Sequence, residues 1–138
     1  MRTKEAHYAD ASINPTAWLQ GFNINHGVEV TGVQRTLYLS GQTAVDADGT
    51  PMYEGDLIAQ FKLAWANLKD ALAEAGMTPA NVVRLNMYTT DVDALMGAAG
   101  ELVGVFAADG CSPVSTLLGV TRLFEPSIMV ELEATAVA

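Results

Sequence analysis

The stretch DLIAQFKLAWANLKDALAEAG, Asp56 to Gly76, decides the fold class. Its apolar residues Leu57, Phe61, Ala64, Trp65, Leu68 and Leu72 recur at three- and four-residue spacing, which gathers them on one face of a helix. Asp56 offers an N-cap oxygen and Gly76 a residue that leaves the helix without steric conflict, so both ends are marked. After Thr78-Pro79 comes Val82-Val83-Arg84-Leu85-Asn86-Met87-Tyr88-Thr89-Thr90, rich in β-branched and aromatic residues, which predicts a strand.

Working outward, Asp91 caps a second predicted helix that runs to about Ala108, with Leu95, Leu102 and Phe106 among its apolar positions and Asp109-Gly110 at its end. Val114 to Arg122 and Ile128 to Val137 read as two final strands. Upstream, Gly21 to Asn25 with Val28 to Val30, and then Arg35 to Gly41, predict two strands of a meander. Asp46-Ala47-Asp48-Gly49 is a turn, because the bidentate Glu that would close a calcium loop is missing. The order ββαβαββ predicts an α/β (α+β) domain in which one mixed sheet carries both helices on one face. In the last strand Val130, Leu132 and Ala134 point one way, and Met129, Glu131 and Glu133 the other. A second face carrying Met and aliphatic residues needs cover, which predicts a homo-oligomer. Met1 to Pro15 shows little periodicity and is expected as an irregular arm.

The 138 residues suit one domain, and half of them are apolar, enough for a continuous core. Seven basic against sixteen acidic residues give a net charge of -9, which repels phosphate backbones and anionic membranes and argues against a nucleic-acid partner. The chain has neither a membrane-length apolar run nor the apolar core of a signal peptide, so a cytoplasmic location is the default expectation.

Few residues offer chemistry. His7 and His26 lack partners at metal-ligand spacing, so no metal site is expected. No glycine-rich phosphate loop follows a strand, which leaves nucleotide cofactors unsupported. Cys111, the single cysteine, reads as a small semi-buried residue. Glu131 and Glu133 remain, two carboxylates on one face of an otherwise apolar strand. Such a pair is either a structural ion-pair or hydrogen-bonding element, or a general acid/base whose pKa is raised by burial.

Pro113-Val114-Ser115-Thr116-Leu117-Leu118-Gly119-Val120, a spacer through Arg122-Leu123, and Val130-Glu131-Leu132-Glu133-Ala134 together resemble the C-terminal signature of the reactive intermediate deaminase family, the RidA/YjgF-type proteins. Leu39-Ser40-Gly41-Gln42 and Val82 to Asp91 resemble that family's strands as well. The resemblance implies a chorismate-mutase-like fold, a homotrimer, and inter-subunit clefts that hydrolyse enamines and imines to ketones and ammonia without a cofactor. It also implies that Glu131 holds the attacking water and that Ser40, Gly41 and the backbone near Leu117 line the pocket. Trp18 stands where many members carry an aromatic residue, and Asn86 and Tyr88 share one face of the central strand, within reach of the site.

One departure bears on substrate. Active members place an arginine two residues after the proline, where it grips the substrate carboxylate through paired charged hydrogen bonds. Here that position is Ser115, and the loss should cost on the order of 2 to 5 kcal/mol of anchoring. Leu117 stands where some members carry cysteine, and Ala99 near a position where some carry asparagine. A rim of Trp18, Ser115, Thr116 and Leu117 is neutral and favours an uncharged or aromatic small molecule. Two readings follow: an imine or enamine hydrolase acting on a substrate without the usual carboxylate, and a non-catalytic small-molecule-binding or interaction trimer. Endoribonuclease activity, an older label of the family, fits neither the acidic charge nor the missing histidine pair.

Overall fold

The computed structural model describes residues 8–138. His7 and the first part of the expected arm lie outside the described residues, but the arm's last part is regular. Strand β1 (Ala9–Ile13) pairs antiparallel with β2 (Gly27–Thr31) as a two-stranded ribbon. The first predicted meander strand therefore shifts. Residues from Gly21 to Asn25 do not extend into a strand, because a 3₁₀ turn covers Trp18–Phe22 and Asn23 follows in the left-handed conformation at φ 55°. Asn tolerates that region better than most residues, so it closes the turn where a β-branched residue would be strained.

The main sheet has four strands, β3 (Thr36–Gln42), β4 (Val82–Thr89), β5 (Leu117–Gly119) and β6 (Val130–Val137), in the order β3-β6-β4-β5. It is mixed as expected: β6 runs antiparallel to both β3 and β4, whereas β4 and β5 are parallel. Helix α1 (Leu57–Glu74) follows its predicted span, with the Asp56 carboxylate accepting from the Ala59 N–H at 3.0 Å. The second predicted helix is broken into α2 (Val92–Gly97) and α3 (Ala99–Ala107) at Ala98. The run Gly97-Ala98-Ala99-Gly100 contains two residues of low helix propensity, and Asp91, which caps α2, has no counterpart for α3.

Phe61, Ala64, Trp65 and Leu68 from α1 and Leu102 and Phe106 from α3 pack in one core with Leu39, Leu85, Val130, Leu132, Ala134 and Ala136 from the sheet. Both helix layers thus cover one sheet face. Each large aliphatic or aromatic side chain buried there contributes roughly 1.5–3 kcal/mol. Met129 belongs to this core and not to the opposite face, because β6 begins only at Val130. The open face instead carries Tyr38, Ser40, Arg84, Asn86, Tyr88, Glu131, Glu133 and Thr135, with Leu118 on the edge strand, so it is mostly polar and aromatic where the sequence suggested Met and aliphatic residues. Among the described residues, no helix is long and apolar enough to cross a membrane.

One buried polar side chain fixes how the chain enters β6. Gln60, fully buried on α1, donates to the carbonyls of Tyr53 (3.1 Å) and Ser127 (2.8 Å) and accepts from the Met129 N–H (2.8 Å). The Thr89 hydroxyl donates to the Met129 carbonyl at 2.8 Å, closing the same junction from β4. Gln60→Leu preserves volume but strands three backbone groups, and a loss of about 3 kcal/mol is expected. The check is a lowered urea midpoint with unchanged slope at fixed protein concentration.

Candidate active site

The described residues form two separate candidate half-sites, one on each face of the main sheet. On the open face, β6 presents Glu131 and Glu133 because their neighbours Val130, Leu132 and Ala134 are committed to the core. β4 lies alongside in register, Tyr88 opposite Glu131 and Asn86 opposite Glu133. The Tyr88 hydroxyl donates diagonally to Glu133 Oε1 at 2.7 Å, and Asn86 Nδ2 approaches the same oxygen at 3.4 Å. Asn86 Oδ1 is buried and has no hydrogen-bond partner among the described residues. On the other side of β6, the β3 pairing is irregular between Leu39 and Gln42, which brings Gly41 against Glu131. A Cβ at Gly41 would stand 2.5 Å from Glu131 Cδ and 2.7 Å from Oε1, so glycine lets the carboxyl group lie close against the β3 backbone. Ser40, beside it, is exposed.

The electrostatics of this face are asymmetric. Burial holds the Glu131 carboxyl above the usual glutamate range, and the neighbouring Glu133 charge pushes it further in the same direction. Tyr88 is raised above the ordinary phenol value, first because its hydroxyl is hydrogen-bonded to Glu133 and then through burial and the Glu133 charge. The structure therefore supports the expectation of a carboxyl group that stays protonated longer than a free glutamate.

The second half-site is a cavity of about 300 Å³ between the sheet and the helices. Trp18, Leu19, Phe22, Ile24, Met87, Leu95 and Met96 line it together with Ala99 and Leu117. Ser115 is the single polar residue of that lining. The break between α2 and α3 sets Met96 and Ala99 on this wall. Trp18, 66% exposed and packed edge-on against Phe22, sits at the rim. Its position is fixed from a distance: Asn23 Nδ2 donates to the Cys111 carbonyl (2.8 Å), and Asn25 donates through Nδ2 to the Ser112 carbonyl (2.9 Å) and through its N–H to the Pro113 carbonyl (2.9 Å). These bonds tie the 3₁₀ turn to the segment that carries Ser115.

The two final predicted strands, Val114 to Arg122 and Ile128 to Val137, are therefore not neighbours in the sheet. β4 stands between β5 and β6, and β5 is only three residues long, with one further parallel bridge at Val114 to Arg84. Ser115 and Leu117 face the helix-side cavity, whereas Glu131 faces the opposite side. Thr116, exposed between them, joins neither the cavity lining nor the Glu131 cluster by a hydrogen bond of its side chain. Ser40, Gly41, Asn86 and Tyr88 gather with Glu131, and Trp18, Ser115 and Leu117 gather with one another. Sequence reasoning passed over Met87, Met96 and Phe22 as cavity residues, and Asn23, Asn25 and Gln60 as the groups that hold the pieces in place.

No described arginine lines the cavity that carries Ser115. Arg35 donates to the Ala75 carbonyl at the end of α1, Arg84 lies on the open face, Arg122 is exposed outside any strand, and the cavity lining includes none of them. His26 contacts the side chains of Asn14 and Thr16, and no cluster of three metal-ligating side chains occurs among the described residues.

Gly41→Ala is expected to push the Glu131 carboxyl toward solvent. Because the displaced atoms end a flexible side chain, stability should change by less than about 1 kcal/mol. With its burial relieved, Glu131 should titrate closer to the ordinary glutamate range, a downward move readable by ¹³C-carboxyl NMR.

The comparisons with known proteins agree with this architecture. The family model described as endoribonuclease L-PSP matches residues 23–138. Protein DfrA of Myxococcus xanthus is 33% identical over 101 residues, covering 73% of this chain and 75% of the relative. A mouse 2-iminobutanoate/2-iminopropanoate deaminase is 31% identical over 105 residues, covering 76% of each chain. A crystal structure of a conserved Rid-family protein of unknown function from Yersinia pestis superposes with a TM-score of 0.84 at 36% identity, over 94% of this chain and 98% of the other. The chain thus belongs to the RidA/YjgF family of reactive intermediate deaminase-type proteins, the family whose model bears the older name endoribonuclease L-PSP.

Proposed function

We propose that the protein hydrolyses enamines or imines that lack the usual substrate carboxylate, in a cleft completed between subunits of a homotrimer, without a cofactor. The overall reaction is R₂C=NH + H₂O → R₂C=O + NH₃, with an enamine first tautomerising to the imine. Glu131 handles the water. The observation that carries the substrate side of this reading is Ser115 on the wall of an otherwise aliphatic and aromatic cavity with no charged residue in its lining. An apolar or aromatic substituent gains from burial in such a lining, at roughly 25 cal/mol per Å² removed from water. A carboxylate placed there would be desolvated without a cationic partner, which costs several kcal/mol.

The inter-subunit cleft is supported by the division of the site. Glu131 with Gly41 and Ser40 lies on one sheet face, and Trp18, Ser115 and Leu117 lie on the other, so one small ligand cannot touch both groups within a single chain. A second copy presenting its opposite face supplies the missing half. The mouse relative's name, an iminobutanoate and iminopropanoate deaminase, gives the reaction class.

The test measures ammonia release from two sets of imines generated in situ. An amine oxidase acting on neutral primary amines supplies carboxylate-free imines, and an amino-acid oxidase supplies 2-imino acids. The wild-type protein should accelerate release from benzyl- or branched-alkyl-bearing carboxylate-free imines, with Glu131→Ala reducing kcat/KM by roughly 10²–10⁴-fold. Ser115→Arg should raise kcat/KM on 2-imino acids by about 30-fold or more. No acceleration with any imine by the folded oligomer overturns the hydrolase. Binding of the corresponding aryl ketones without turnover would then favour the non-catalytic small-molecule-binding trimer.

A further inference from the structure

We infer that Glu133, clamped by Tyr88 and Asn86, is a positioning residue that assigns the proton of the carboxylate pair to Glu131, so that Glu131 meets the imine as an acid. The inference rests on the proposed hydrolysis and specifies how its carboxyl group works. Two carboxylates two residues apart on one strand face do not ionise with equal ease, and the surroundings decide which one keeps the proton. Glu133 Oε1 accepts the Tyr88 hydroxyl at 2.7 Å and has Asn86 Nδ2 at 3.4 Å, so two donors converge on one of its oxygens. Glu131 has no hydrogen-bond donor among the described residues. Its carboxyl end rests against the backbone at Gly41.

The remaining groups on this face point the same way. β3 contributes Tyr38 and Ser40, β4 contributes Arg84, Asn86 and Tyr88, β5 contributes Leu118, and β6 contributes Glu133 and Thr135. Arg84 is the one cation of this set, and it lines a recess of about 140 Å³ with Tyr38, Asn86, Glu133 and Thr135, away from Glu131. Tyr88 is the hinge of the arrangement. It stands opposite Glu131 in register but spends its hydrogen on Glu133, leaving Glu131 to hold its own. The raised position of Glu131, caused by burial and then by Glu133, agrees with this division.

The protons then balance through one carboxyl group. Neutral Glu131 gives its proton to the imine nitrogen, and the resulting carboxylate takes a proton from water as the C–O bond forms, producing the carbinolamine. Glu131 next protonates the amino nitrogen, the C–N bond breaks, ammonia leaves, and the hydroxyl proton returns to Glu131 as the carbonyl forms. The acid is regenerated without a second titrating group. Glu133 touches no reacting atom in this sequence and acts through its charge.

The experiment is a ¹³C-carboxyl NMR titration of the intact oligomer, with kcat/KM against pH on a reactive imine measured alongside. In the wild type the Glu131 midpoint should lie above the ordinary glutamate range. Glu133→Gln, which removes the charge and keeps the shape, should move that midpoint down, and the alkaline limb of the pH profile should move with it. Tyr88→Phe should also lower the Glu131 midpoint, because Glu133 without its donor competes for the proton. A Glu131 midpoint unmoved by Glu133→Gln in a folded protein overturns the inference, and a midpoint unmoved by Tyr88→Phe removes the clamp from it. The titration needs no turnover, so the expected shifts in a protein that hydrolyses no imine would sink the hydrolase alone. Turnover with an unresponsive Glu131 would sink the clamp alone.

Discussion

Strand β6 runs between β3 and β4, and its pleat leaves each side chain only two destinations. Val130, Leu132, Ala134 and Ala136 are buried beneath α1 and α3, and that commitment sends Glu131, Glu133 and Thr135 to the open face. A one-residue slip would exchange the two sets, exposing four core residues and burying two carboxylates under the helices. The register is thus held by hydrophobic burial along the whole strand, and by the Gln60 and Thr89 hydrogen bonds at its start. The position of the candidate acid is a by-product of core packing. No separate device is needed to orient it.

What the sequence made legible was local. The helix from Leu57 to Glu74 is written in its own periodicity and in the Asp56 cap, so its span needed no tertiary information. The alternation from Val130 onward is equally local, and it correctly divided the carboxylates from the core. β5 escaped the same reading because an apolar run says nothing about how many partners a strand finds. It lies at the sheet edge, pairs with β4 alone, and keeps only Leu117–Gly119 as regular structure. The break at Ala98 was hidden because Leu95, Leu102 and Phe106 keep a helical rhythm through it.

The candidate site was harder to read, for a reason rooted in topology. β5 and β6 follow one another in the chain, but β4 enters between them, and no pattern in either strand announces an inserted neighbour. Trp18 reaches the cavity rim because Asn23 and Asn25 bond to carbonyls at Cys111, Ser112 and Pro113, some 88 residues away in the case of Asn23. Asn in a loop usually signals a turn, and here it does that and also docks the turn. The Tyr88 to Glu133 bond is diagonal, so even knowledge that the two strands pair would have directed Tyr88 to Glu131.

The division of the site across the sheet also bears on what Ser115 can mean. If Ser115 and Glu131 shared one face, a serine in place of arginine would weaken one end of a single anchored substrate and little else. Because they lie on opposite faces, the two halves answer to different surroundings. The Glu131 half is tuned by neighbours on β3, β4 and β6, and the Ser115 half by the helices and the 3₁₀ turn. Substitution in the cavity can therefore change which molecule is held without disturbing the carboxylate pair. A chain built this way can change its helix-side cavity while the β6 register, and with it the Glu131 and Glu133 pair, stays in place.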